Sequence, residues 1–182
     1  MQTASVHFTF NDQTSEIASP KGIRIDVTVG ELFHTAGSEN SPLATLQARK
    51  TWTLGTTNLV SLSTEADSYF RHDVADPLRF TLGGPLRLFA SSVDEYRGTD
   101  TVLGRAVYLR KVATLPTGLA QGVYITAGYE AGNIWSPENP AILRQDGFAG
   151  VLLSTPLGAM TFGGALGDAG RRKVFFTFGR LF

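Results

Sequence analysis

The sequence predicts an all-β chain folded as an antiparallel transmembrane β-barrel, on three observations. Apolar and polar residues alternate with a period of two in segment after segment, as in strands with one apolar and one polar face. No segment combines helical periodicity with caps. The closing stretch, Lys173 to Phe182, has a strongly aromatic face: Val174, Phe176, Phe178 and Phe182 share one parity, broken by Arg180. In water such a strand needs a covering layer. In a barrel wall it faces lipid, with an aromatic residue at the interface girdle.

Composition fits this reading. The 182 residues suffice for one sizeable domain, 1–182. Charged residues are only 18%, below the usual quarter of soluble domains, and 20 glycines and 8 prolines suit strands and turns. The net charge is zero, so there is no basic footprint for nucleic acid. With no cysteine, disulfides and thiolate metal sites are excluded. The N-terminus has neither a cationic start nor an apolar run, so a leader has been removed or the chain is the C-terminal piece of something longer; the second is expected. Gly147 to Gly167 is uncharged and long enough for a transmembrane helix. Its centre, Ser154-Thr-Pro-Leu-Gly158, is a turn signal, and four glycines weaken a helix further, so two strands are predicted.

Nine strand candidates follow in order: 5–12, 22–33, 43–54, 57–65, 102–114, 121–132, 147–154, 158–166 and 173–182. The clearest is the second, where Ile23, Ile25, Val27 and Val29 oppose Arg24, Asp26 and Thr28. In the first, Val6, Phe8 and Phe10 oppose His7, Thr9 and Asn11. In the third, Leu46, Ala48, Trp52 and Leu54 oppose Gln47, Arg49, Thr51 and Thr53. In the fourth, Val60 and Leu62 oppose Ser61 and Ser63. The fifth alternates poorly; in the sixth, Val123, Ile125, Ala127 and Tyr129 oppose Tyr124, Thr126, Gly128 and Glu130. Charges on the polar faces match a wet lumen with lipid outside, and most lengths approach the roughly 9–11 residues of a spanning strand. Links 55–57 and 155–158 are tight, whereas 66–101 and 133–146 are long, the pattern of periplasmic turns and outer loops. Single-chain bacterial barrels have even strand number, so about eight strands are expected here, with 5–12 set aside, or an incomplete barrel.

Several of these stretches together resemble the sixteen-stranded barrel of the bacterial surface antigen superfamily of outer-membrane assembly factors. They look most like the barrel domain fused to patatin-like phospholipases. The long loop contains Leu82-Gly-Gly-Pro-Leu-Arg-Leu-Phe-Ala90, with Arg87 at the family's inserted-loop arginine and Leu88 where the family has glycine. Leu103 to Arg110, Tyr129-Glu-Ala-Gly-Asn-Ile-Trp135, the Gly150-to-Gly158 turn and the aromatic closing strand complete the resemblance. It covers residues 80–182 best and implies a C-terminal half-barrel in the bacterial outer membrane. A terminal phenylalanine such as Phe182 resembles the signal read by the barrel assembly machinery. The resemblance also implies that the long loop folds into the lumen, where Arg87 would lock onto Glu130.

Chemistry has little support, and no enzyme is expected. His7, His34 and His72 are scattered, and no metal-ligand spacing or nucleophile elbow occurs. Asp146-Gly147 reads as a loop turn. Gly163, Gly164, Gly167 and Gly170 make no phosphate-binding fingerprint. Glu65, Asp67, Asp94, Glu95 and Asp100 read as solvated loop acids, and Trp52, Trp135, Tyr129 and Phe182 as an interface girdle. No cofactor is expected. The expected partners are outer-membrane lipid, the assembly machinery, and a second copy or the missing half of the barrel. Three functions stand: protein assembly or translocation, membrane anchoring of a patatin-like domain, and, as an alternative, a soluble lipid-binding barrel with apolar residues inside.

Overall fold

The computed structural model describes residues 2–14, 21–33, 40–71, 74–75, 78–114, 122–155 and 157–179. Arg180 and Phe182 of the closing strand, His34, His72 and Pro156 lie outside the described residues. The chain is all-β: β1 (Gln2–Asn11), β2 (Gly22–Phe33), β3 (Ser41–Leu54), β4 (Asn58–Tyr69), β5 (Phe80–Leu82), β6 (Tyr96–Gly98), β7 (Asp100–Ala113), β8 (Gly122–Trp135), β9 (Arg144–Thr155), β10 (Gly158–Gly167) and β11 (Arg172–Phe178). Nine of these form one sheet in the order β1-β2-β3-β4-β7-β8-β9-β10-β11, and β5 and β6 form a separate small hairpin. Every adjacent pair is antiparallel.

The segment 5–12 is a full strand, contrary to the expectation of about eight. It pairs with β2 from Gln2↔Phe33 to Asn11↔Arg24. The loop expected at 66–101 is shorter, because β4 continues to Tyr69 and β7 begins at Asp100. The stretch Glu65-Ala-Asp-Ser68 has no large apolar residue to mark it as a strand. Its acids lie on the sheet's polar face, where alternation of charge with small residues replaces alternation of charge with grease. Residues 147–155 and 158–167 lie in two antiparallel strands, as the glycines and proline predict.

Among the described residues the sheet is open: β1 and β11 each pair on one side only. Eight successive antiparallel pairings make these two edge strands run in the same direction. The two faces differ in a way that reverses the water-soluble pattern. On one face large apolar side chains are exposed, among them Val6 (77%), Phe8 (62%), Val174 (72%) and Phe176 (64%). On the other face Arg105, Thr126, Glu130, Asp146 and Thr161 are buried. The connection between β4 and β7 lies over this polar face and supplies its cover.

Where the loop meets the sheet, apolar side chains fill the gap. Phe89 from the loop joins Leu59, Val107, Leu109, Phe148, Leu152 and Phe175 from the strands. Leu82 and Leu88 pack on Leu103 and Ile134. Two wall phenylalanines lie flat on glycines of the neighbouring strand. A β-carbon at Gly128 would overlap the ring of Phe148, its partner across β8 and β9. One at Gly163 would lie 2.7 Å from Phe175 Cζ, its partner across β10 and β11. These glycines are therefore sites for rings, an arrangement known to pin register.

This packing carries a test. Gly128→Ala should destabilise the chain by about 1–3 kcal/mol through overpacking. Gly147→Ala, whose β-carbon meets nothing nearer than a carbonyl at 3.7 Å, should change stability by less than about 0.5 kcal/mol. Thermal unfolding of the two variants should separate them; equal stability would show that the Phe148 ring moves aside freely.

Candidate functional site

The candidate site is the junction between the loop 83–95 and the polar face of β4 and β7–β9. The β5/β6 hairpin holds the two ends of the loop together, pairing Phe80↔Gly98 through Leu82↔Tyr96. Gly83 (φ 121) and Gly84 (φ 101) turn the chain inward in conformations that favour glycine. Within the loop, Arg87 N–H donates to Gly84 O (3.1 Å) and Ser91 N–H to Leu88 O (3.0 Å). Leu86 (φ 71) and Leu88 (φ 74) are also left-handed, which costs an ordinary residue about 1–2 kcal/mol each.

The left-handed turn gives the loop its grip. It aims successive backbone N–H groups at the sheet, the concavity that binds anions. Leu88 N–H (2.8 Å) and Phe89 N–H (2.9 Å) both donate to Glu130 Oε2. Ala90 N–H donates to Asp146 Oδ2 at 2.7 Å. Glu130 is fully buried, and its other oxygen lies 2.7 Å from Arg105 Nε. The N–H geometry of that contact falls short of a hydrogen bond, so Arg105 acts there chiefly as a neighbouring charge. Arg105, Glu130 and Asp146 are direct partners across β7, β8 and β9. Sheet register alone therefore assembles the cation and both carboxylates beneath the loop.

Arg87 and Glu130 are not paired with each other. Arg87 Nε lies 3.1 Å from Glu65 Oε2 and Arg87 Nη2 lies 3.6 Å from Asp67 Oδ2. The reason is geometric: Arg87 stands between two left-handed leucines and turns toward β4, while Glu130 is already occupied by Arg105 and the loop amides. Glu65 and Asp67 are wall acids of β4, not loop acids. Asp146, expected in a turn, is a buried wall residue of β9.

The far end of the loop is held by β11 and the turn before it. Lys173 Nζ donates to Ser91 O at 2.6 Å. Arg171 Nη1 donates to Glu95 Oε1 at 2.6 Å and to the Tyr96 hydroxyl. The Arg144 guanidinium lies over the Tyr96 ring, 3.8 Å from its centroid. Desolvation pushes the Glu95 carboxyl up, but the Ser92 N–H and Arg171 together hold it below its ordinary value. In the core of the junction the Phe89 ring lies 4.5 Å from Phe148 and 4.3 Å from Phe175, contacts worth about 0.5–1.5 kcal/mol each beyond area burial.

The remaining acids are also engaged. Asp94 accepts from Thr81 Oγ1 (2.7 Å), and Asp100 accepts from Ser68 Oγ (2.6 Å) and Thr99 Oγ1 (2.8 Å). Among the described residues no group of three metal-ligating side chains occurs. Val174, Phe176 and Phe178 of β11 point to the exposed apolar face. Trp52 is near the 55–57 turn, Trp135 ends β8 at the opposite rim, and Tyr129 sits mid-strand instead of at an end. Arg105 and Asp146 are the residues that sequence reasoning missed; Arg105 shares parity with Leu103, Val107 and Leu109, which alternation alone reads as the apolar face, whereas these side chains pack under the loop. The sequence matches no protein-family model and no curated protein.

Two tests follow from this geometry. Glu130→Ala strands a buried guanidinium and two loop amides and should cost about 3–5 kcal/mol. Arg87→Ala removes a partly exposed pair and should cost about 1 kcal/mol or less. The double variant should be additive, because the two side chains have separate partners. Limited proteolysis within 83–95 is the readout, and strong non-additivity would show that Arg87 and Glu130 act as a pair. At Leu88, alanine loses packing worth about 2–5 kcal/mol and keeps the left-handed strain. Leu88→Gly loses the same packing but relieves about 1–2 kcal/mol of strain, so glycine should be the milder change. Chemical unfolding should show that order.

Proposed function

We propose that this chain is part of the wall of an outer-membrane β-barrel of the surface antigen type. Its apolar face lies against lipid, its polar face lines the lumen, and the loop 83–95 is an inserted plug. The observation that carries the reading is the reversed burial: exposed Val6, Phe8, Val174 and Phe176 on one face, and buried Arg105, Glu130 and Asp146 on the other. A water-soluble sheet with that distribution would expose its grease and bury its charge. The alternative of a soluble lipid-binding barrel needs a polar outer face, where this sheet exposes Val6, Phe8, Val174 and Phe176.

Two further features support a spanning wall. Trp52 shares a row with Val60, Tyr108 and Ala127, and Trp135 lies eight residues further along β8 than Ala127. That separation is about 27 Å along the strand, close to the roughly 25 Å apolar band between aromatic girdles. The edges supply the second feature. In lipid, unpaired N–H and C=O groups each cost several kcal/mol, so β1 and β11 must find partners. Because both edges run the same way, closure of β1 on β11 would need one parallel pairing. Closure by antiparallel pairing alone needs an odd number of further strands, and a sixteen-stranded barrel would supply seven. This favours a completing segment over closure of nine strands on themselves.

Within that barrel we assign the chain a role in protein assembly or translocation, with the plug as the moving part, or in anchoring a patatin-like phospholipase domain. A β-carbon at Gly167 would lie 2.7 Å from Ala90 Cβ, about 1 Å closer than the usual Cβ spacing of a disulfide, so a cysteine pair at Ala90 and Gly167 should pin the plug once the loop shifts outward by about that much. Pinning should abolish assembly or export under the first role and leave membrane attachment and phospholipase activity intact under the second. Membrane residence itself is tested by Phe176→Arg, which places a cation on the apolar face. At mid-depth it should lower insertion by about 2–4 kcal/mol, seen as loss of the detergent-extracted membrane fraction. A stable, monodisperse wild-type monomer in detergent-free buffer would overturn the proposal.

A further inference from the structure

The loop covers β4 and β7–β11, but the polar face of β2 and β3 carries a feature that the plug does not use. Arg24, Arg49, Ser63 and Arg105 are successive partners across β2, β3, β4 and β7. Adjacent strands are about 4.8 Å apart, so three guanidinium side chains rise from one short row of the sheet. Arg24 and Arg49 stand directly opposite each other, and like charges in that position are destabilising. Arg24 turns to Asp26 on its own strand, which leaves Arg49 without a paired acid of its own.

The acids nearby are already committed. Asp26 receives Arg24 Nε at 2.6 Å and Thr9 Oγ1 at 2.9 Å. Glu65 is held by Arg87, and Glu130 by Arg105. Arg49 is half-buried, and among the described residues it makes no hydrogen bond and no ion pair. It lines an open groove of about 210 Å³ together with Arg24, Asp26, Gln47, Ser63 and Glu65. The Gln47 amide and the Ser63 hydroxyl share the face of Arg49 and also have no hydrogen-bond partner among the described residues. One surplus guanidinium, one amide and one hydroxyl thus converge on a space whose two acids, Asp26 and Glu65, are paired with Arg24 and Arg87.

We propose that the Arg49 groove is a binding site for an oxyanion, either a carboxylate or a phosphate group. The planar guanidinium offers two parallel N–H donors to two oxygens, with Ser63 and Gln47 as flanking donors. An anion there relieves the Arg24–Arg49 repulsion as well as gaining its own hydrogen bonds. The inference rests on the polar face being the water-accessible side, as in the proposed lumen. Two sources present this chemistry: a free anion, or an acidic side chain of a polypeptide lying across β2–β4.

The test uses the full chain in detergent micelles, labelled with nitrogen-15 arginine. Inorganic phosphate, a glutamate-rich peptide and a glutamine-rich control peptide are titrated in turn, and the Arg49 Nε resonance is followed. A saturable shift is expected with phosphate. Affinity should fall about tenfold or more in Arg49→Gln, read as loss of the same shift at Arg24, and only in part in Arg49→Lys. Tighter binding of the glutamate peptide than of phosphate identifies a polypeptide side chain as the occupant; the reverse order identifies a free anion. No saturable shift, or an undiminished Arg24 response in Arg49→Gln, overturns the site. Membrane fractionation of the same preparation is independent of these readings, so a lost site with intact membrane residence sinks the groove alone.

Discussion

Everything under the loop depends on the Glu130 carboxylate. It is fully buried, so ionised it needs compensation from all sides. Register supplies a guanidinium from Arg105 on the adjacent strand, and the loop supplies two N–H groups. Those N–H groups face the sheet only while Leu88 holds a left-handed backbone, and Leu88 holds it only while its side chain is packed against Leu103 and Ile134. The hydrogen bonds, the strain and the packing are therefore one cooperative unit. Its strongest member is the charge, since an unpaired buried ion outweighs a few buried methylenes.

The wall around this unit follows from sidedness. The nine-stranded sheet exposes an apolar face and buries a polar one. The apolar core of this chain lies between loop and wall, on the polar side, where Phe89, Phe148 and Phe175 meet. Glycines make room for it: Gly128 and Gly163 let rings lie flat, and Gly167 lets Ala90 approach. The loop is consequently both the cover of the buried charges and half of the packed interior around them.

The strands and their two faces are legible in the sequence because alternation is a local signal, visible within six or eight residues of Ile23–Val29 or Val123–Tyr129. The partners of Glu130 are not local. Arg105 lies opposite it only once the register of β7 on β8 is fixed, and that register depends on a link too long to read as a turn type. Asp146 precedes glycine, a dipeptide that signals a turn, and its burial in β9 comes from the loop at Ala90, 56 positions away in the chain. Glu65 and Asp67 were hidden because their strand neighbours are small. The left-handed leucines leave no trace in residue type, since leucine normally avoids that conformation.

The loop grips the wall through main-chain N–H groups, and every residue except proline carries one. Side chains at 88–90 are then selected for volume and for tolerance of a turn, never for a specific polar head. Over generations this stretch can drift in identity while the clamp persists, whereas the wall acids and their cation cannot be exchanged one at a time. Descent along such a lineage would be written in the spacing of Arg105, Glu130 and Asp146 across three strands, not in the lettering of the loop.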